Sequence, residues 1–465
     1  MSPVAAVLLI PAAAAAVLAF VPGYALGARI NLGASLLTLV AACALFGVAG
    51  DVAGDYLLVD SLNIVFVVLN SFVGFTAAAF SAGYIGHELA AGRLTPVNLR
   101  FYHAMYQLMM FGMNLALVSN NIGLMWVAIE LATLTTVAMV GLYRTHEALE
   151  AAWKYFILGS VGIALALFGT ILVYMAAQPV LGEGAASMVW TRLMSGAARF
   201  DPAMLNVAFV FLLLGYGTKV GLAPLHAWLP DAHAEGPTPI SAVLSGLLLN
   251  VALYAVLRFK MLMAANPEAV APGPLMVALG LLSAVFAGFM LYRRRDIKRL
   301  FAYSSIEHMG IIVFAFGMGG PLANFAGLLH MTMHSLTKSA IFYAVGSVAQ
   351  VKGTQRIADI RGLTQSHPAL GFGLAVAVLA IAGMPPFGVF MSEFLIVTST
   401  FARAPVLALL LVLGLMVAFG ALLMRLTGVL FGTPEGPSAP AEASLLPLYS
   451  HTALKELPTL FFEFH

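Results

Sequence analysis

Apolar runs separated by short polar joints recur along the whole chain, near residues 4–22, 32–49, 57–83, 101–119, 121–142, 152–177, 203–222, 239–259, 271–291, 299–318, 322–350, 368–390 and 404–431. A helix needs roughly 20 apolar residues to cross a bilayer. The runs therefore predict about thirteen transmembrane helices and leave little chain for an extramembrane domain. The first run follows only Met1, Ser2 and Pro3, with no basic flank and no obvious cleavage site, so it reads as a retained span rather than a leader.

Two of the runs cannot continue as unbroken helices. Residues 215–241 read GYGTKVGLAPLHAWLPDAHAEGPTPIS, in which Pro224, Pro230, Pro237 and Pro239 remove backbone donors; Pro385 and Pro386 do the same in the twelfth run. If spans 4–8 and 9–13 form two blocks, both interruptions fall in the fourth helix of their block, and an odd helix count inverts one block relative to the other. The pattern predicts an all-α polytopic bundle: N-terminal helices over 1–98, inverted five-helix repeats over 99–262 and 263–432 with helices 7 and 12 broken, and a tail over 433–465. Irregular backbone at membrane depth persists only where protein buries it or where it lines a wet cavity.

Composition fits this picture, since 61% of the 465 residues are hydrophobic and 9% charged, more apolar surface than a soluble core needs. Most basic residues of the joints, among them Arg29, Arg93, Arg100, Arg144, Lys154 and the run YRRRDIKRL at 292–300, fall on one side of the predicted topology. Arg192, Arg199, Arg258, Lys260 and Arg403 fall on the other, which places the N-terminus outside by the positive-inside rule. The basic run, Lys298 included, is expected beside headgroups as a topology determinant. With Cys43 as the single cysteine, the chain lacks the thiolates of an iron–sulfur cluster, and it shows no CxxCH, dinucleotide or Walker A motif. No cofactor, metal or nucleic acid is expected.

The candidate chemistry is ionisable residues inside spans, each costing about 2.5–3.5 kcal/mol on insertion scales and usually kept for function. Glu130 lies mid-span in LMWVAIELATLTTVAMV, and Lys219 ends the run before the first set of prolines. A lone buried carboxylate could be neutral; Lys219 is the natural partner to keep it charged. A lysine whose carboxylate partner comes and goes is a proton switch. In LLHMTMHSLTKSAIFYAVG, His330, His334 and Lys338 recur every four residues, a titratable stripe roughly 12 Å long on one helix face. One such histidine would read as interhelical glue; three groups in register read as proton transfer. Glu393 follows the second proline pair, and Lys154, four residues after Glu150, reads either as half of a surface pair or as a relay member. His226, Asp231 and His233 are expected to wet the cytoplasmic mouth of the first half-channel.

The stretches GTKVGLAPLHAWLPDAHAEGPTPISAVLSG, RRDIKRLFAYSSIEHMG, HMTMHSLTKSAIFYAVGS and AGMPPFGVFMSEF resemble, in order over about residues 60–430, the motifs of the antiporter-like subunits shared by respiratory complex I, multisubunit Na+/H+ antiporters and membrane-bound hydrogenases. VSNNIGLMWVAIE, LEAAWKYFILGSVG and the acid Glu307 in AYSSIEHMG point within that family to its hydrogenase-4 F-subunit branch. The resemblance implies two inverted five-helix bundles, a first charge pair of Glu130 and Lys219, a central axis of Lys338 with His330 and His334, and Glu393 at the end of the second half-channel. Two departures stand out. Asn250 occupies the place where the family often has a lysine or histidine, so it can order water but not carry a proton, and TALKELPTLFFEFH is too short and too charged to form the additional helix that related subunits usually have.

These residues predict a proton-translocating subunit, less readily a Na+ carrier, that does no covalent chemistry. It would work in a cell inner membrane with other membrane subunits and peripheral hydrogenase or dehydrogenase subunits. A stand-alone or multisubunit Na+/H+ antiporter component and a structural anchor for redox subunits are the alternatives.

Overall fold

In the computed structural model, which describes residues 2–48 and 52–434, helix occupies each of the thirteen apolar runs, and the expected tail lies outside the described residues from position 435 onward. The helices of eight residues or more are α1 (Pro3–Leu18), α2 (Tyr24–Cys43), α3 (Ser61–Ala90), α4 (Tyr102–Val118), α5 (Ile122–Val140), α6 (His146–Leu181), α7 (Pro202–Val220), α8 (Trp228–Glu235) and α9 (Thr238–Ala264). After them come α10 (Gly273–Leu291), α11 (Ile297–Met318), α12 (Pro321–Lys352), α13 (Pro368–Ile381), α14 (Gly388–Phe401) and α15 (Pro405–Phe431). Nine of them are long and apolar enough to cross a bilayer by length and composition. The remaining extended structure among the described residues is slight, a two-residue antiparallel pairing of Val52–Ala53 with Leu58–Val59.

Polar residues in the joints start the helices. Asp60 and Asn63 form a reciprocal capping box at α3, while Asn121, Thr145, Asp201 and Asp296 accept backbone N–H bonds at the first turns of α5, α6, α7 and α11. Two boundaries move. Arg29, expected in a joint, lies inside α2, which begins eight residues before the apolar run, just after Gly23, and α6 starts ahead of 152–177 because Thr145 caps a polar first turn.

Both interruptions are real: α7 and α8 flank one break, α13 and α14 the other, and each break carries a cis X-Pro bond, Ala223–Pro224 and Pro385–Pro386. Glycines set the close approaches. A Cβ at Gly162 or Gly215 would collide between α6 and α7, and one at Gly280 or Gly310 would collide between α10 and α11, so small residues let these backbones touch. The α9 window is entirely buried and that of α11 nearly so, whereas α15 turns Leu409, Met416 and Met424 outward. Large apolar side chains on the outside and ionisable ones within are the arrangement lipid imposes.

Two basic residues expected at the surface are interior. Lys298 is 1% exposed and donates to the carbonyls of Ala234 (3.1 Å) and Gly236 (2.7 Å), because the end of α8 leaves those acceptors unpaired. Arg258, also buried, reaches the Asp60 carboxylate at 2.6 Å and lies 4.4 Å from the Trp190 ring, tying α9 to the start of α3.

Candidate functional site

The first break fixes Lys219. The α7 helix closes on Gly221 in the left-handed region (φ +81°), a conformation a side chain would strain. Trp228 Nε1 donates to the Thr218 carbonyl at 2.8 Å and its ring stacks on Tyr155 at 4.2 Å, which satisfies a carbonyl of the interrupted helix and seals its end. Lys219, in that last turn, places Nζ 3.0 Å from Glu130 Oε2 of α5; the lysine side chain is 1% exposed and the carboxylate 17%. Gly159 on α6 makes room, since a Cβ there would stand 3.1 Å from Nζ. A buried pair of this kind is costly to split, because the remaining partner is left charged in a poor solvent.

A second cluster forms where α11, α12 and α14 meet. His330 Nε2 lies 2.9 Å from His308 Nδ1, and His330 Nδ1 lies 2.8 Å from Ser392 Oγ. The His334 ring centroid is 5.6 Å from that of His308. Lys338 donates to the Phe301 carbonyl at 3.0 Å, and Glu307 is the carboxylate whose field acts on it. Glu393 completes the group: its carboxylate lies against Gly383, in the second break, at a spot that a side chain on Gly383 (φ +68°) would fill. His330, His334 and Lys338 are fully buried, as the stripe spacing requires for an inward face. Among the described residues, Glu307 Oε2 and both ring nitrogens of His334 have no hydrogen-bond partner, leaving water as the partner open to them.

Between the two clusters lies α9, which carries a π-helical turn over Leu244–Leu248 just before Asn250. Asn250 Nδ2 donates to Ser335 Oγ at 2.6 Å, joining α9 to the α12 stripe. The Oδ1 atoms of Asn250 and Asn70 are both without partners among the described residues, and the two residues share the wall of a cavity of about 10 Å³, roughly the room of one water.

The other expected positions scatter. Lys154 is 46% exposed, in contact with Glu150 (2.7 Å) and Asp231 (3.0 Å), and Arg299 joins Asp231 at 2.8 Å, which makes a surface ion-pair network. His226, Asp231 and His233 do not share one mouth. Asp231 belongs to that network, His226 packs beside Phe286 and Tyr303, and His233 is fully buried, stacked on Phe342 at 4.8 Å.

The sequence reading missed His308 as a site residue and the Asp60–Arg258 pair. It also missed Glu88, a buried acceptor for Arg93 (2.8 Å) and Gln350 (2.7 Å). A signal for His308 was present, since Glu307 and His308 are adjacent polar residues inside an otherwise apolar run.

Comparison with known proteins adds a family model, two relatives and two solved structures. The family model described as NADH:quinone oxidoreductase/Mrp antiporter, TM matches residues 119–418. The chain is 62% identical over 450 residues to the hydrogenase-4 component F homolog of Methylacidiphilum infernorum (isolate V4), covering 97% of this chain and 94% of the relative. It is 29% identical over 400 residues to NADH-quinone oxidoreductase subunit N of Desulforudis audaxviator (strain MP104C), covering 85% and 76%. Its fold matches a chain of the archaeal membrane-bound sulfane sulfur reductase with a TM-score of 0.85 at 23% identity, covering 100% and 96%. It also matches a chain of respiratory complex I from Thermus thermophilus with a TM-score of 0.75 at 26% identity, covering 99% and 98%.

Proposed function

Because the chain belongs to the NADH:quinone oxidoreductase/Mrp antiporter transmembrane family, we propose that it is the proton-translocating membrane subunit of a hydrogenase-4-like or complex I-like energy-converting complex. The Lys219–Glu130 contact at 3.0 Å, buried beside a broken helix, carries this reading. While the pair is closed, the carboxylate holds the lysine proton; when a change in the complex draws Glu130 away, the ammonium is left in a low-dielectric site and releases its proton. Lys338, with Glu307 as its counter-charge and the His334, His308 and His330 rings alongside, passes a proton toward Glu393 at the second break. Asn250 and Ser335 order water between the halves. Lys154 serves the surface network.

The family's membrane subunits work within multisubunit complexes, as the relatives' names state, so the partners proposed are other membrane subunits and peripheral redox subunits. The excess of basic joints on one side supports an inner-membrane orientation with the N-terminus outside. The matching breaks support division into helices over 1–98 and inverted repeats over 99–262 and 263–432. The test is proton uptake by the complex reconstituted in vesicles. Lys219→Ala and Glu130→Gln should abolish it while assembly and redox turnover persist, and uptake at the native rate in both variants would overturn the reading.

A further inference from the structure

The cluster at α11, α12 and α14 has donor chemistry that proton relay does not exhaust. Ser392 Oγ donates to the Val389 carbonyl at 2.8 Å, so toward His330 Nδ1 it is left as an acceptor, and His330 must carry its ring proton on Nδ1. With its proton on Nδ1, His330 turns Nε2 as a lone pair toward His308 Nδ1 at 2.9 Å. A carboxylate oxygen of Glu393 stands with them, all three ligand atoms lying within 4.8 Å of one another.

Two imidazole nitrogens and one carboxylate oxygen, with the outer nitrogen of His330 held by Ser392, are the donor set of a zinc site with an open position. The two nitrogens need little movement, while the carboxylate oxygen, within 4.8 Å of them, closes in. With Zn–N bonds of about 2.0–2.1 Å in a tetrahedron, the two nitrogens would stand roughly 3.3 Å apart, slightly wider than the 2.9 Å they keep. Glu393 is partly exposed, beside the break whose Pro385 and Pro386 lie at the surface of the chain.

We propose that His308, His330 and Glu393 form a binding site for a divalent transition-metal cation of the Zn2+ class, and that this cation competes with a proton for the same pair of ring nitrogens. Binding does not require the transport reading to hold. Only its consequence, a second half-channel stopped by the bound ion, rests on that reading.

The experiment uses the full chain purified in detergent and Zn2+ alone, titrated against a chromophoric chelator. One Zn2+ per chain is expected, with X-ray absorption reporting two nitrogen ligands at about 2.0–2.1 Å, and with affinity falling as pH is lowered. His308→Gln, His330→Gln and Glu393→Gln should each weaken binding at least tenfold with helicity by circular dichroism unchanged. If any variant loses its helicity, the wild-type chain loaded with Co2+ decides instead, through the intense visible bands of four-coordinate nitrogen ligation. The absence of stoichiometric binding, of those bands, or of any effect in all three folded variants overturns the proposal. Proton uptake blocked by Zn2+ in the reconstituted complex tests the consequence separately, and its failure leaves the binding result standing.

Discussion

Replacing Glu130 by glutamine leaves the Lys219 ammonium facing a neutral amide, and the geometry sets the size of the effect. At 3.0 Å and an effective dielectric constant near 20, two unit charges attract by about 5.5 kcal/mol, part of which offsets the cost of removing both from water. Stripping one partner from a buried pair costs about 3–5 kcal/mol, because the desolvation of the survivor is no longer compensated. Lys219→Met in the same chain removes the stranded charge, so Glu130→Gln/Lys219→Met should recover most of that loss. Denaturant titration of the detergent-purified chain, followed by tryptophan fluorescence, measures all four corners of the cycle. A coupling of at least about 2 kcal/mol is expected, whereas single losses that add to within about 0.5 kcal/mol would refute the claim that the two charges sense each other. The double variant separates roles as well: restored in stability, it should still take up no protons, because its apolar side chain cannot bind one.

Three further outcomes follow from the same structure. Lys298→Met leaves the Ala234 and Gly236 carbonyls without their donor and should cost about 1–3 kcal/mol, with protease sensitivity appearing first around α8. Asp60→Asn keeps an oxygen for the α3 cap but gives up the 2.6 Å contact with Arg258, while Asp60→Ala also loses the cap and should lie about 1 kcal/mol lower in the same denaturant titration. Gly215→Val forces α6 and α7 apart and should prevent accumulation of folded chain in membranes, whereas Gly33→Ala, where a Cβ meets nothing within 4 Å, should accumulate normally; quantitative immunoblotting distinguishes the two.

Much of this architecture was legible because a bilayer makes hydrophobicity nearly one-dimensional. The thirteen runs and the two proline-marked breaks followed from segment length and missing backbone donors. Glu130 and Lys219 could be matched from sequence because so few charges lie at depth that each has few partners to choose from. What depended on packing between distant helices was not readable. His308 meets His330 only after α11 and α12 close against each other, and no spacing along the chain encodes that encounter. Lys298 carries the same formal charge as its arginine neighbours, so local sequence could not show that it turns inward toward the open carbonyls of α8. Arg258 looked like a joint residue because its partner, Asp60, comes from a helix start nearly two hundred positions earlier.

The short helix α8 has consequences beyond its own place in the bundle. At one end Trp228 is bonded to the last turn of α7, where Lys219 sits. At the other, Lys298 and Arg299 of α11 grip its final carbonyls and Glu235. Eight residues make a stiff rod rather than a slack connector, so the helix that ends in Lys219 and the helix bearing Glu307 and His308 share one strut, fastened to the first by the Trp228 side chain and to the second by those of Lys298 and Arg299.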